Sequence, residues 1–275
     1  MENLFNTSKE TIEANMNGAR TKGSLPFGKM VLLGILAGAF IALGAATSST
    51  AAHGIADVGL ARLVSGAVFP VGLMMIVICG GELFTGNNLM VMSALGRQIK
   101  WSQLARNLIT VWLSNFAGAV IIAFLVYFSG NLNYSGGALG AYTIKIAMGK
   151  TSMGFGTAFA SGILCNILVC LAVLMAGAAK EILGCFFPVC AFVVGGFEHV
   201  VANMYYIPAG LIAMMNSSYL AKAVELYGYT EAQIAGLNIG SMFMNLIPVT
   251  LGNLVGGGIF VGVAYFLIYG KKNKD

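Results

Sequence analysis

Apolar residues run along this chain in six long stretches, near 29–50, 64–95, 105–128, 155–179, 184–215 and 238–269, separated by polar segments. Each exceeds roughly 18 residues, the length a helix needs to cross the hydrocarbon core of a bilayer. Helix is the expected form, because backbone groups in lipid must be satisfied within the segment itself. The pattern predicts an all-α polytopic membrane protein with six transmembrane helices and both termini on one side. A short helix over 7–20 is predicted ahead of them, where Thr7 and Glu10 have the spacing of a capping box.

The two halves of the chain resemble each other. "NLITVWLSNFAG" (107–118) aligns with "NLIPVTLGNLVG" (245–256) at an offset of 138. "GGELFTGNNLM" (80–90) aligns with "GGFEHVVANMY" (195–205) at an offset of 115, which pairs Asn88 with Asn203. "GIL" recurs at 34–36 and 162–164. Each unit has three spans, and an odd number inverts the second copy, as in many transport proteins with a working site at midplane. The predicted organisation is an N-terminal segment (1–28), a first three-helix repeat (29–128), a loop on the outer side (129–154), a second, inverted repeat (155–269) and a basic tail (270–275).

The second and fifth stretches are interrupted at matching places, by Gly80-Gly81-Glu82 and by Gly195-Gly196 ahead of Glu198-His199. Glycine pairs weaken a helix and allow a break. Broken helices expose unpaired backbone groups, which membranes tolerate only inside protein or along a wet cavity. Glu198 and His199 therefore belong to a polar waist away from lipid. Neighbours in extended backbone diverge, so if His199 faces a pore, Glu198 points elsewhere. The expected role of Glu198, and of Glu82 in the other copy, is to accept the free N–H groups of the broken helices. Thr85, on the facing break, can hold the His199 imidazole.

Composition agrees. The chain is 58% apolar and 9% charged, against about 25% charged in soluble domains. Eleven basic residues lie with the termini: Lys9, Arg20, Lys22, Lys29, Arg97, Lys100, Arg106, Lys180, Lys271, Lys272 and Lys274. Four lie opposite: Arg62, Lys145, Lys150 and Lys222. The positive-inside rule puts both termini in the cytoplasm. The net charge of +5 is thus a topology signal and implies no nucleic-acid partner. All five cysteines lie in apolar runs and none forms CxxC, so they read as small buried hydrophobes. Gly34/Gly38 and Gly252/Gly256 have the spacing of close helix contacts.

"ELFTGNN", "FEHVVAN", "GILCNILVCLAV" (162–173) and "NLIPVTLGNLVGGG" (245–258) together resemble the formate/nitrite transporter family over about residues 20–270, and the chain looks closest to its bacterial hydrosulfide-channel branch. The resemblance implies a homopentamer of aquaporin-like protomers in the bacterial cytoplasmic membrane, each with its own pore for a small monovalent anion: hydrosulfide first, formate or nitrite otherwise. It makes His199 the central pore histidine, Phe69, Leu73, Leu83, Phe84 and Phe192 apolar constrictions, Asn166 and Asn253 polar pore-side groups, and Lys150 the basic residue at the outer mouth. It implies no cofactor. Glu82 stands where typical formate members carry Asp. Apolar rings block bare ions and pass a neutral acid far more easily, so His199 is expected to exchange a proton with the anion. A proton-coupled formate or nitrite carrier is the alternative.

Other classes find no support. HExxH and GxxxxGK[ST] are absent, which argues against a zinc protease and an ATP-driven pump. Only His53 accompanies His199, so no bis-histidine haem site can form at membrane depth. Paired Asn-Pro-Ala motifs of water channels are absent.

Overall fold

The computed structural model describes residues 5–179, 184 and 186–271. Lys180, Cys185, Lys272 and Lys274 lie outside the described residues. Among the described residues the regular secondary structure is helical, apart from one isolated bridge between Phe5 and Ala179.

Helix α1 (Ser8–Gly23) starts at the expected capping box. Thr7 Oγ1 accepts from Glu10 N at 3.3 Å, and Glu10 Oε2 accepts from Thr7 N at 2.7 Å. The first repeat continues with α2 (Phe27–Ala52) and α3 (Val58–Cys79). After a break come α4 (Phe84–Asn87), a tight turn (Asn88–Met90), α5 (Val91–Leu95) and α6 (Trp101–Phe128). The second part has α7 (Ala138–Thr151), α8 (Phe155–Ala178), α9 (Phe186–Gly195), α10 (Val200–Ala213), α11 (Ser217–Tyr227), α12 (Glu231–Gly236) and α13 (Ile239–Tyr269). Helix α13 widens into π-type turns over Leu254–Val263. Five helices (α2, α3, α6, α8, α13) are long and apolar enough to span a membrane, and α9 with α10, bent by 52° at their break, makes a sixth.

Two boundaries differ from the sequence reading. The second span begins at Val58 instead of 64, because Asp57 Oδ1 accepts from Leu60 N at 2.7 Å and caps the helix there. Arg62 therefore sits on a helix and not in a loop. The segment 129–154, expected as a loop, contains α7, which buries Leu139, Ile144 and Ala147 against its neighbours.

The molecule is inverted relative to a soluble protein. Large apolar residues such as Leu32, Ile109, Leu125, Ile247 and Leu267 are exposed outside, while Glu82, Thr85, Asn87, Asn115, Glu198, His199 and Asn253 are buried inside. Each repeat is sealed by a near contact between its first and third spans. A Cβ on Gly118 of α6 would overlap the Ile35 carbonyl oxygen of α2, and a Cβ on Gly256 of α13 would overlap the Ile163 carbonyl oxygen of α8. These pairs lie 138 and 128 residues apart, the offsets already present in the sequence.

Candidate functional site

Each break begins at a glycine with positive φ: Gly80 (φ +86°) after α3 and Gly196 (φ +72°) after α9. A side chain there would strain the backbone. Beyond them the chain runs extended, and its polar groups need partners because lipid offers none.

Two asparagines supply those partners in the same way. Asn115 Oδ1 accepts from Phe84 N at 2.9 Å, while its Nδ2 donates to the carbonyls of Gly34 (2.7 Å) and Glu82 (2.9 Å). Asn253 Oδ1 accepts from Val200 N at 3.0 Å, while its Nδ2 donates to the carbonyls of Gly162 (2.8 Å) and Glu198 (3.0 Å). So Asn253 is no pore-lining group; it staples three elements together. The expectation for the carboxylates is corrected as well. The asparagine amides and the His199 ring, not Glu82 and Glu198, take the free helix N–H groups.

The carboxylates anchor a second layer. Glu82 Oε2 accepts from Asn87 Nδ2 (2.6 Å) and Asn107 Nδ2 (3.2 Å), and Oε1 pairs with Lys22 Nζ at 3.3 Å. Glu198 Oε2 accepts from Asn203 Nδ2 (2.6 Å), and Oε1 pairs with Lys150 Nζ at 2.5 Å. Asn87 Nδ2 also donates to Asn107 Oδ1, and Asn203 Nδ2 to Asn245 Oδ1, both at 2.8 Å. Lys150, the basic residue assigned to the outer mouth, has a side chain only 17% exposed, and its charge is paired with Glu198. The matched positions also correct the repeat register by one residue. Glu82 pairs with Glu198 and Asn87 with Asn203 at an offset of 116, so the twin of His199 is Leu83 and the twin of Thr85 is Val201.

His199 and Thr85 meet between the breaks, with His199 Nε2 and Thr85 Oγ1 2.9 Å apart. His199 Nδ1 accepts from Ala202 N at 3.1 Å, capping α10. A backbone N–H can only donate, so Nδ1 carries no proton. The neutral ring then holds its proton on Nε2 and donates to Thr85 Oγ1. A proton on Nδ1 would set N–H against N–H and require the cap to open. His199 points at Thr85 and Glu198 at Lys150 and Asn203, the divergence expected of neighbours.

Beside His199 lies a chamber of about 10 Å³, lined by Ile41, Phe69, Leu73, Leu83, Val169, Val189, Phe192 and His199. That is room for about one water. Phe69 and Phe192 meet edge to face in its lining, with centroids 5.7 Å apart. Leu73 and Leu83 line it as well and also border a cavity of about 360 Å³ that reaches Lys22 and Asn15 on α1. Two further expected site residues make the following contacts. Phe84 borders an apolar groove between α6 and α13. Asn166 sits behind Thr85 and donates from Nδ2 to the carbonyls of Thr85 (3.3 Å) and Asn253 (2.7 Å).

Residues 9–267 match the sequence profile of the formate/nitrite transporter family. This chain belongs to that family. Members of this family are channels and transporters and not enzymes, and the solved relatives share the fold described above. The chain is 39% identical to the "probable formate transporter" of Methanothermobacter thermautotrophicus over 99% of its own length and 100% of that protein. It is 42% identical to the formate channel FocA of Haemophilus influenzae, over 84% and 83%. Among solved structures, a "pentameric formate channel with formate bound" shares 38% identity at a TM-score of 0.75, covering 88% of this chain and 97% of the other. An "FNT family ion channel" shares 27% identity at a TM-score of 0.81, covering 94% and 98%. These relatives are named for formate or for the family as a whole, and hydrosulfide is in none of their names.

Several site residues of this transporter escaped the sequence reading: Lys22, Asn87, Asn107, Asn115, Asn203 and Asn245. Their signal was present. Asn107 and Asn115 recur as Asn245 and Asn253 within the repeated motif, and Lys22 precedes Lys150 by 128, the offset of the "GIL" repeat.

Proposed function

We propose that this protein passes small monovalent anions of weak acids across a membrane, formate and hydrosulfide among them, with the substrate crossing the chamber as its neutral acid. The observation that carries this is His199, held by Thr85, beside a small chamber whose other lining is apolar, and we read Leu73/Leu83 and Phe69/Phe192 as its two closures. A bare anion leaving water for such a site loses its hydration with one N–H in return, a loss of several kcal/mol. A neutral acid of the same size loses little. Since Nδ1 is occupied by the Ala202 N–H, His199 serves here as a hydrogen-bond donor through Nε2–H, and the proton is gained on the way in.

Formate takes first place because the relatives at 39–42% identity are named for it. Hydrosulfide remains the second reading, supported by the small chamber and by Glu82 in place of the Asp of typical formate members. We further propose a homopentamer with one pore per protomer, by analogy with the solved formate channel, which is pentameric, and with both termini cytoplasmic. The test is influx into proteoliposomes of formate, hydrosulfide and nitrite. Saturable influx of formate or hydrosulfide that rises as the outside is acidified is the expected result. Influx that is absent, or equal at all pH, contradicts the reading.

A further inference from the structure

With Lys150 neutralised by Glu198, the face opposite the termini needs another cation to gather anions. Lys145 is committed to aromatic rings, 4.6 Å from the Tyr227 centroid and 5.8 Å from that of Tyr142, and Lys222 is paired with Glu225 at 2.9 Å. Arg62 is different. Among the described residues its hydrogen bonding is a long contact of 3.4 Å from Nη1 to the Val194 carbonyl, at an exposed position. Asp57, the nearest acid in sequence, uses Oδ1 on the Leu60 N–H.

We infer that Arg62 is the anion-capture residue of the face opposite the termini, the first stop before the Phe69/Phe192 closure; this rests on the transport reading above. Three features place it there. Arg62, Gly66, Phe69 and Leu73 fall at i, i+4, i+7 and i+11 on α3, one stripe of the helix. Phe69 and Leu73 line the chamber, so Arg62 stands two turns, roughly 10 Å, outward of the Phe69/Phe192 closure on the same stripe. The stripe faces α9, because a Cβ on Gly66 would collide with the Val194 side chain and approach Cys190. Finally, the guanidinium lies over the break itself. A Cβ on Gly196 would overlap Arg62 Nη1, so the glycine that makes the break also seats the cation.

The planar guanidinium fork matches a carboxylate with two parallel hydrogen bonds and a hydrosulfide with one. Capture by Arg62 therefore raises apparent affinity for both anions and favours formate.

The experiment measures initial influx of formate and of hydrosulfide against concentration, in proteoliposomes that present this face outward. Arg62→Gln is expected to raise the half-saturating concentration of both by about fivefold, the size of one exposed charge at contact distance in water, with maximal rate kept. Arg62→Lys is expected to recover hydrosulfide fully and formate only in part. Unchanged half-saturation in Arg62→Gln, with wild type active, overturns the inference and leaves the transport reading standing. Equal loss of maximal rate in both variants also overturns it, since Arg62 would then only support packing. Wild type passing neither anion overturns the transport reading itself.

Discussion

The two breaks are built on one plan but are held to different degrees. Each has a lysine from a lateral helix, a glutamate, two asparagines beside it and a third that staples the extended backbone. In the second break the Lys150–Glu198 pair is 2.5 Å apart, with the side chains 17% and 0% exposed. In the first the Lys22–Glu82 pair is 3.3 Å apart and 36% and 6% exposed. The second break leads into α10, 14 residues long, whereas the first leads into α4, only 4 residues. The capping position is His199 in one and Leu83 in the other. The pseudo-symmetric scaffold thus separates duties. The tighter half fixes the histidine, and the looser half presents Thr85 and the Leu83 closure to it.

The sharpest way to break this comparison is to neutralise each glutamate. Glu198→Gln leaves Lys150 as a mostly buried, unpaired charge, which costs about 3–5 kcal/mol. Glu82→Gln leaves Lys22 with access to water and costs about 1 kcal/mol. Unfolding of the purified protein in detergent measures both; equal losses would end the claim that the halves differ.

The staples should behave alike. Asn115→Ala and Asn253→Ala each strand a backbone N–H and two carbonyls in a dry site, for about 2–4 kcal/mol apiece. The same unfolding measurement checks that the two values agree. The capping positions should diverge again. His199→Leu, which copies its twin, removes the chamber's donor and is expected to lower formate flux by about 5- to 150-fold, equivalent to 1–3 kcal/mol. Thr85→Val, which also copies its twin, leaves the ring in place and costs flux about tenfold or less. Vesicle influx ranks the two, and a Thr85→Val loss larger than that of His199→Leu would reverse their assigned roles.

The smallest effect concerns α1, which carries Lys22. Its Glu10 carboxyl is held below the ordinary 4.5 by the Thr7 hydrogen bonds. A lowered folded value means that the capping contribution is complete above the ordinary value and is lost as pH falls through the lowered one. Amide exchange in the first turn of α1 should therefore quicken in that acid window and, in Thr7→Ala, at neutral pH too.

Much of this was legible in the sequence. Six apolar stretches, two Gly-Gly interruptions and a repeated Asn-containing motif were enough for the spans, the inversion and the meeting of Thr85 with His199. Helix α7 was hidden because 129–154 is polar at its start and carries Lys145 and Lys150, while its apolar positions are buried against protein instead of facing lipid. The register slipped by one because the second break has an extra residue, Phe197, between its glycines and its glutamate. Only three-dimensional pairing of Asn87 and Asn203 with the carboxylates fixes it. The wall-holding duties of Asn166 and Asn253 were hidden for a common reason. Sequence tells that a residue lies near a pore, but side-chain direction decides whether it lines the pore or holds the wall.

The most direct measurement is the pH dependence of formate influx in wild type and His199→Asn. Asparagine can still cap α10 and offer an N–H, but it cannot carry a proton. If the substrate gains its proton before the chamber, both proteins should show flux rising with acidity at the same slope, up to about tenfold per pH unit, across the range where an ordinary histidine titrates. A mutant that conducts but has lost that slope would contradict the account and make His199 the proton donor.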